Sequence, residues 1–216
     1  MENFEFVSPT HFVFGRDAEA QVGAKLANQG AVKVLLHYGG GSAERSGLLG
    51  RVRESLAAAG IKCVELGGVR PNPEITLVRE GVALCKQHGI DWVLAVGGGS
   101  VVDSAKAIAV GARATCDVWQ FFETKQQTND VLPIAVVLTI PAAGSEASPN
   151  AVVSNDELGR KTGYGNDAQR PKLAFLNPQL TFTLPPYQTA AGLTDMFCHL
   201  LERFFDDYGA VPVTDN

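Results

Sequence analysis

The stretch Asp91–Lys106 reads D-W-V-L-A-V-G-G-G-S-V-V-D-S-A-K and decides the fold predicted for this chain. Its first part, Trp92–Val96, is a short apolar run typical of a strand buried on both faces. The glycines Gly97–Gly99 allow a tight turn and let a ligand approach the backbone closely. Ser100 then has the position of a helix N-cap, with Asp103 three residues later, close to a capping box. The stretch predicts a strand, a glycine turn and a helix whose N-terminus is suited to a phosphate.

Composition and charge restrict the class of protein. The 216 residues are 45% hydrophobic and 19% charged, so a packed core is expected. The net charge of −5 gives no electrostatic case for nucleic acid or an anionic membrane as a partner. No apolar run reaches the length of about 18 residues expected of a membrane span, and the acidic N-terminus is not that of a signal peptide. The four cysteines have no metal-binding spacing and are interpreted as reduced thiols of a cytoplasmic protein.

Strands and helices alternate along most of the chain. The strands are predicted at 32–38, 61–66, 92–96 and 132–140. Such alternation predicts an α/β fold, a doubly wound and mostly parallel sheet with helices on both faces. Three of the strands end in small loops, at Gly39, Gly97 and Ala142, which in such a sheet share the carboxyl edge where ligands bind. Three loops on one edge favour a nucleotide site.

A second domain is predicted towards the C-terminus. Short strands in a loop-rich segment follow Ala151, and the pair Pro185-Pro186 closes that segment. Residues 187–205 have a strongly helical pattern that is interrupted near Gly192. We expect an α/β dinucleotide-binding domain over residues 1–185 and the first helices of a truncated all-helical domain over residues 186–216, because so short a remainder cannot bury a core of its own.

The glycine turn departs from the standard dinucleotide-binding pattern G-x-G-x-x-G. Gly97 and Gly99 fit that pattern, but Val102 stands where the third glycine is expected. Asp117 has the spacing of a ribose-binding acid but follows a helix rather than a strand. A plain strand–helix turn, with glycines for packing, therefore stays an alternative.

Asp195 and His199 lie four residues apart in the predicted C-terminal helix and therefore on one face of it. A carboxylate and an imidazole so placed can share a divalent ion, but a catalytic metal commonly has three or more protein ligands. By spacing alone, the pair is better explained as a structural hydrogen bond. Lys161, taken alone, is better explained as a solvated surface residue.

An ordered series of motifs spans nearly the whole chain, from Phe6 to about Phe205. The motifs are Phe14-Gly15, Tyr38-Gly39-Gly40-Gly41-Ser42, Pro71-Asn72-Pro73, Gly97-Gly98-Gly99-Ser100 with Asp103 and Lys106, Thr139-Ile140-Pro141-Ala142-Ala143-Gly144-Ser145-Glu146, Lys161, and Gly192-Leu193-Thr194-Asp195 with His199. With this series the sequence resembles the iron-containing (group III) alcohol dehydrogenase family, in its butanol dehydrogenase-like branch.

The resemblance implies a Rossmann-like α/β domain, a C-terminal helical domain and an active site in the cleft between them. It implies an enzyme that transfers hydride between NAD(P)H and a primary alcohol or aldehyde, with a divalent metal, Fe or Zn, as Lewis acid. Asp195 and His199 match the first two metal ligands, and two further histidines are expected beyond residue 216. No residue is assigned as catalytic. The implied cofactor contacts are Gly39, Gly40, Gly41, Ser42, Asn72, Gly97, Gly98, Gly99, Ser100, Asp103, Thr139 and Lys161.

Cofactor preference and competence follow from the same resemblance. NAD-preferring relatives commonly carry an aspartate after the first long strand, where this chain has Gly39–Ser42, so we predict that NADP(H) is preferred, with NAD(H) as the alternative. The chain alone is expected to bind cofactor and to catalyse poorly, because two ligands hold a metal weakly. A cytoplasmic homodimer is expected. The alternatives are a nucleotide-binding module without turnover, and a polyol dehydrogenase or dehydroquinate synthase-like lyase of the same fold.

Overall fold

The structure, a computed structural model, describes residues 7–205. The strands are β1 (His11–Phe14), β2 (Lys33–Gly39), β3 (Lys62–Val69), β4 (Trp92–Gly97), β5 (Ile134–Leu138), β6 (Asn150–Asn155), β7 (Arg160–Gly165) and β8 (Leu173–Leu176). The helices are α1 (Val22–Asn28), α2 (Ser42–Arg45), α3 (Leu48–Ala58), α4 (Ile75–His88), α5 (Gly99–Arg113), α6 (Trp119–Thr124) and α7 (Pro186–Phe204).

Six of the strands form one sheet in the order β1-β8-β5-β4-β2-β3, and every pairing in it is parallel. This confirms the predicted α/β fold. Strand β4 lies inside the sheet and all of its residues are buried, as its unbroken apolar run predicts. Strand β8, from the segment expected to be loop-rich, enters the sheet between β1 and β5.

Helices cover both faces of the sheet, and each face has its own apolar core. One core joins α4, α5 and α6 to side chains such as Leu35, Val93 and Val136. The other joins α1 and α3 to the alternate side chains, such as Leu36 and Leu94. Successive strand residues point to opposite faces, so continuous apolar strands supply both cores. Strands β6 and β7 form a separate antiparallel hairpin that packs on α5.

Two local predictions are wrong. Helix α5 begins at Gly99 with Gly98 as its N-cap, so Ser100 lies inside the first turn and is not the cap. Helix α7 runs without interruption through Gly192. A glycine suits that position because α7 lies very close to the segment after β5. A Cβ on Gly192 would lie 3.1 Å from the Pro141 carbonyl oxygen. None of the helices described between residues 7 and 205 is long and apolar enough to cross a bilayer.

Candidate functional site

The three small loops predicted to share one edge of the sheet are brought together there. Strands β2, β4 and β5 are neighbours in the sheet, so the segments that follow them emerge side by side. The Thr139 N–H, just after β5, donates to the Gly97 carbonyl at 3.0 Å. A Cβ on Gly98 would lie 3.7 Å from the Ile140 side chain. The glycine turn and the loop after β5 therefore form one continuous surface.

The N-terminus of α5 opens onto this surface. The Val101 and Val102 N–H groups both donate to the Gly98 carbonyl, at 3.0 and 3.2 Å, and no side chain in the described structure caps the helix end. The first N–H groups of a helix have no partner within it, so those that precede Val101 are left for a ligand. Gly97 cannot be replaced easily, because a Cβ there would lie 2.5 Å from the Val101 side chain.

A second glycine segment, Gly39–Ser42, lies beside the first. Gly41 has a φ of 113°, a conformation that favours glycine, and precedes α2. A Cβ on Gly41 would lie 3.1 Å from Nη1 of Arg45, so a guanidinium stands next to this turn. Ser42 and Thr139 line one pocket of about 320 Å³.

Asn72 and Lys161 meet although they are 89 residues apart in sequence. Lys161 Nζ donates to Asn72 Oδ1 at 2.7 Å, and both side chains are exposed. Asn72 has a φ of 59° and lies in the loop between β3 and α4, while Lys161 lies in β7. A hydrogen bond of 2.8 Å from the Ser154 N–H to the Pro73 carbonyl joins the β6–β7 hairpin to the same loop.

Asp103 is engaged inside the protein. Its Oδ1 accepts a hydrogen bond from the Ser145 hydroxyl at 2.6 Å, and its Oδ2 accepts from the Val152 N–H at 3.0 Å. Burial raises the pKa of this carboxyl, although both hydrogen bonds oppose that shift. Its assignment as a cofactor contact stays a prediction.

Lys106 and Ser145 belong to the ordered series of motifs, but the sequence does not identify them as site residues. Lys106 is fully buried, and its Nζ donates to the Ser145 hydroxyl at 2.9 Å and to the Asn150 carbonyl at 2.7 Å. Burial lowers the pKa of Lys106 to about 8. In the sequence, only the D-x-x-K spacing indicates this arrangement, because it places two opposite charges on one helix face.

Asp195 and His199 lie on one face of α7, with Oδ1 and Nε2 3.8 Å apart and both side chains about half exposed. This distance is too long for a hydrogen bond. It fits a shared ion, because two donors that each lie about 2.1 Å from one metal can be up to about 4 Å apart. Among residues 7–205, no group of three or more His, Cys, Asp or Glu side chains is placed to hold a metal. The carboxylate and imidazole donors therefore fit a divalent metal, of which they would be two ligands.

A cleft of about 600 Å³ separates α7 from the segment after β5. Asp103, Ser145, Ser148 and Asn150 line one side of it, and Met196 and His199 of α7 line the other. The close contact of Gly192 with Pro141 places α7 over the carboxyl edge of the sheet. His199 of the predicted metal pair therefore faces Asp103 and the segment after β5 across this cleft, whereas Asp195 lines a separate pocket on α7.

Comparison with known proteins gives consistent similarities. The family profile described as iron-containing alcohol dehydrogenase matches residues 9–178. A probable NADH-dependent butanol dehydrogenase 1 of Bacillus subtilis is 44% identical over 215 residues, which are 100% of this chain and 55% of the relative. The NADPH-dependent aldehyde reductase YqhD of Escherichia coli is 36% identical over 207 residues, which are 94% of this chain and 52% of the relative.

A solved structure agrees with these sequences. The crystal structure of NADH-dependent butanol dehydrogenase A from Thermotoga maritima superposes with a TM-score of 0.92 and 46% identity, over 95% of this chain and 52% of that chain. The chain thus spans about half the length of the curated relatives it matches. On the profile match and these identities, the chain belongs to the iron-containing alcohol dehydrogenase family.

Proposed function

We propose that this chain forms the cofactor-binding part of an oxidoreductase that moves hydride between NAD(P)H and a primary alcohol or aldehyde. The observation that carries the proposal is the convergence, at one edge of the sheet, of the uncapped N-terminus of α5, the Gly39–Ser42 turn and the Asn72–Lys161 pair. The names of the relatives, butanol dehydrogenases and an aldehyde reductase, support the substrate class.

Each part of this edge has a role in holding the nucleotide. The N–H groups at the start of α5, at Gly97–Ser100, bind the pyrophosphate, aided by the positive end of the helix. The Lys161 ammonium adds a charge-assisted hydrogen bond, and Asn72 orients it. The ribose end of the cofactor lies against Gly39–Ser42 and Thr139. By holding the nucleotide rigidly, these residues fix the direction from which its reactive ring meets the substrate.

Asp195 and His199 are the residues that would hold the metal, through a carboxylate oxygen and Nε2. A divalent metal there, Fe or Zn, supplies Lewis-acid polarisation of the substrate oxygen. In this proposal the remaining ligands come from outside the described residues, and the 216-residue chain alone is a poor catalyst, because two half-exposed ligands bind a metal weakly.

NADP(H) is the proposed preferred nucleotide. The segment Gly39–Ser42, directly after β2, carries no carboxylate that would repel a 2′-phosphate, and the Arg45 guanidinium stands beside the Gly41 backbone. The relatives bear names of both kinds, NADH-dependent and NADPH-dependent, so the ratio of the two affinities is the quantity to measure.

A fluorescence titration of the chain with NADPH and with NADH tests the proposal. We expect NADPH to bind more tightly, and Lys161→Ala to weaken its binding by about tenfold through the loss of one charged hydrogen bond. Lys86→Ala is the matched control, because Lys86 is an exposed lysine of α4 that donates to the Ala114 carbonyl, away from the site. Failure of the unaltered chain to bind either nucleotide would refute the proposed function.

The second candidate function is a nucleotide-binding module without turnover. It is favoured because, among the described residues, only two metal-ligand candidates, Asp195 and His199, lie together on one helix face. Reduction of a short-chain aldehyde by NADPH, with Fe²⁺ or Zn²⁺ added, separates the two functions. Activity on glycerol and none on aldehydes would instead favour a polyol dehydrogenase.

Location and assembly are part of the proposal. The cysteines Cys63, Cys85, Cys116 and Cys198 are all free, which supports a reducing compartment such as the cytoplasm. A homodimer is expected from the family resemblance. Light scattering on the purified chain gives the oligomeric state directly, and a monomeric mass would exclude the dimer for this chain.

A further inference from the structure

Helix α5 carries a charged pair on the side that faces the β6–β7 hairpin. Asp103 and Lys106 are three residues apart, and Lys106 is 0% exposed. Their charged atoms do not meet directly. The Ser145 hydroxyl stands between them, donating to Asp103 Oδ1 at 2.6 Å and accepting from Lys106 Nζ at 2.9 Å. A buried charge is costly unless it is paired and hydrogen-bonded. Few other arrangements of these three side chains would therefore satisfy both charged groups.

The pair also binds the backbone of the hairpin. Asp103 Oδ2 accepts the Val152 N–H at 3.0 Å, and Lys106 Nζ donates to the Asn150 carbonyl at 2.7 Å. Both groups belong to β6, whose other edge is paired with β7. On this edge of β6, the two α5 side chains therefore make the hydrogen bonds that a neighbouring strand would make. One accepts from a β6 amide and the other donates to a β6 carbonyl.

The hairpin held in this way carries Lys161, which lies opposite Ser154 in the β6–β7 pairing. Lys161 reaches Asn72 at 2.7 Å, next to the edge where α5 begins. We propose that Asp103, Ser145 and Lys106 are positioning residues that dock the β6–β7 hairpin onto the phosphate-binding helix and so place Lys161 for the nucleotide. This inference rests on the proposed function, since it assumes that Lys161 contacts the cofactor.

A double-mutant cycle on NADPH affinity tests whether Lys106 acts through Lys161. The variants are Lys106→Met, Lys161→Ala and the two combined, and Lys86→Met is the control for the loss of an exposed lysine. We expect each single variant to weaken binding by about tenfold and the combination to weaken it by about tenfold as well, because residues that act as one unit are not additive. A combined loss of about 100-fold would show independent effects and overturn the inference.

Hydrogen exchange supplies a measurement that does not depend on nucleotide. In Lys106→Met, the amides of residues 150–165 should exchange at least about tenfold faster, while those of β4 keep their rates. Ser145→Ala, which keeps both charges and removes only the bridge between them, should show the same pattern and serves if Lys106→Met does not fold. Unchanged exchange in the hairpin, or faster exchange with unchanged NADPH affinity, would each overturn the inference. If the unaltered chain binds no nucleotide, the proposed function fails, and the exchange rates alone then decide the docking role.

Discussion

At the scale of single residues, His37 shows how the fold determines the state of a side chain. It is fully buried in β2, with Nδ1 2.8 Å from the Leu66 carbonyl oxygen and Nε2 2.8 Å from the Ser104 hydroxyl. A carbonyl only accepts, so Nδ1 carries the proton and Nε2 accepts from Ser104. Both hydrogen bonds suit the neutral ring, and burial lowers the pKa of His37 from its ordinary value of 6.5 to about 4.

This shift predicts that the free energy of unfolding rises with pH between about 4 and 6.5. In that range the unfolded chain binds a proton at His37 and the folded chain does not, so acid favours unfolding. The two pKa values differ by about 2.5, which corresponds to a rise of about 3 kcal/mol in the free energy of unfolding. Above pH 6.5, His37 contributes no further rise. Urea unfolding of the chain and of His37→Gln across this range measures it. Equal pH slopes for the two proteins would contradict the assignment.

Gly39 is the residue at which we expect a substitution to alter the proposed cofactor preference. A Cβ there would make only ordinary contacts, 3.6 Å from the Val69 carbonyl oxygen and 3.7 Å from the Val101 side chain, so the backbone has room for a side chain to begin at this position. Gly39→Asp is expected to weaken NADPH binding by about tenfold or more and to leave NADH binding largely unchanged, because the new carboxylate repels a 2′-phosphate.

The same fluorescence titration measures this change. Gln120→Glu, at an exposed position of α6 outside the proposed nucleotide contacts, adds a negative charge and should leave the ratio of the two affinities as it is. Equal weakening of both nucleotides by Gly39→Asp would contradict the role given to Gly39.

At the scale of elements, helices α1 and α3 are held together at Gly23. A Cβ on Gly23 would lie 1.9 Å from the Ser55 carbonyl oxygen, and the Gly23 N–H donates to the Ser55 hydroxyl at 2.9 Å. Backbone atoms on both sides make this contact, so it cannot adjust by rotation of a side chain. The close approach of the two helices buries residues such as Val22, Leu26 and Val52 in one core.

We therefore expect Gly23→Ala to reduce the free energy of unfolding by about 2 kcal/mol, through overpacking that forces the helices apart. Gly50→Ala is the matched control, since Gly50 lies in α3 and a Cβ there would have no neighbour within 4 Å. That change should stabilise the protein by up to about 1 kcal/mol, because alanine favours a helix over glycine. Urea unfolding of both variants measures the two effects, and a neutral Gly23→Ala would show that α1 moves freely.

At the scale of the whole molecule, nucleotide and metal are expected to contribute very differently to stability. The proposed nucleotide contacts come from β2, β4, β5, the loop before α4 and the hairpin, so a bound nucleotide is expected to stabilise most of the fold. The two metal-ligand candidates lie within one turn of a single helix and are about half exposed. A metal held by them ties together no other elements.

NADPH at about one hundred times its dissociation constant should therefore add about 2.7 kcal/mol to the free energy of unfolding and raise the melting temperature. Treatment with a chelator should leave the melting temperature of the 216-residue chain unchanged. Thermal unfolding under the two conditions measures both effects. A marked fall after chelation would show that the chain holds a metal tightly, which would contradict the weak two-ligand site.

The sequence by itself determined the class of fold and the edge that carries the candidate site. The apolar runs at β2, β4 and β5, with helical patterns between them, specify a parallel sheet, and the glycines after these strands mark its carboxyl edge. These features could be predicted because they depend on local periodicity and on the conformations open to glycine. The family motif added Asn72 and Lys161, but no local pattern brings them together.

Only the tertiary structure decided which distant groups meet. It placed Lys161 on Asn72, buried Lys106 against Ser145 and Asn150, and made Gly98 the N-cap of α5 instead of Ser100. It also drew β8 into the sheet, although its sequence resembled a strand in a loop-rich segment. Apart from the N-cap of α5, these outcomes depend on contacts between residues far apart in the chain. Their burial and hydrogen bonds outweigh local preference, which is why periodicity and spacing alone could not predict them.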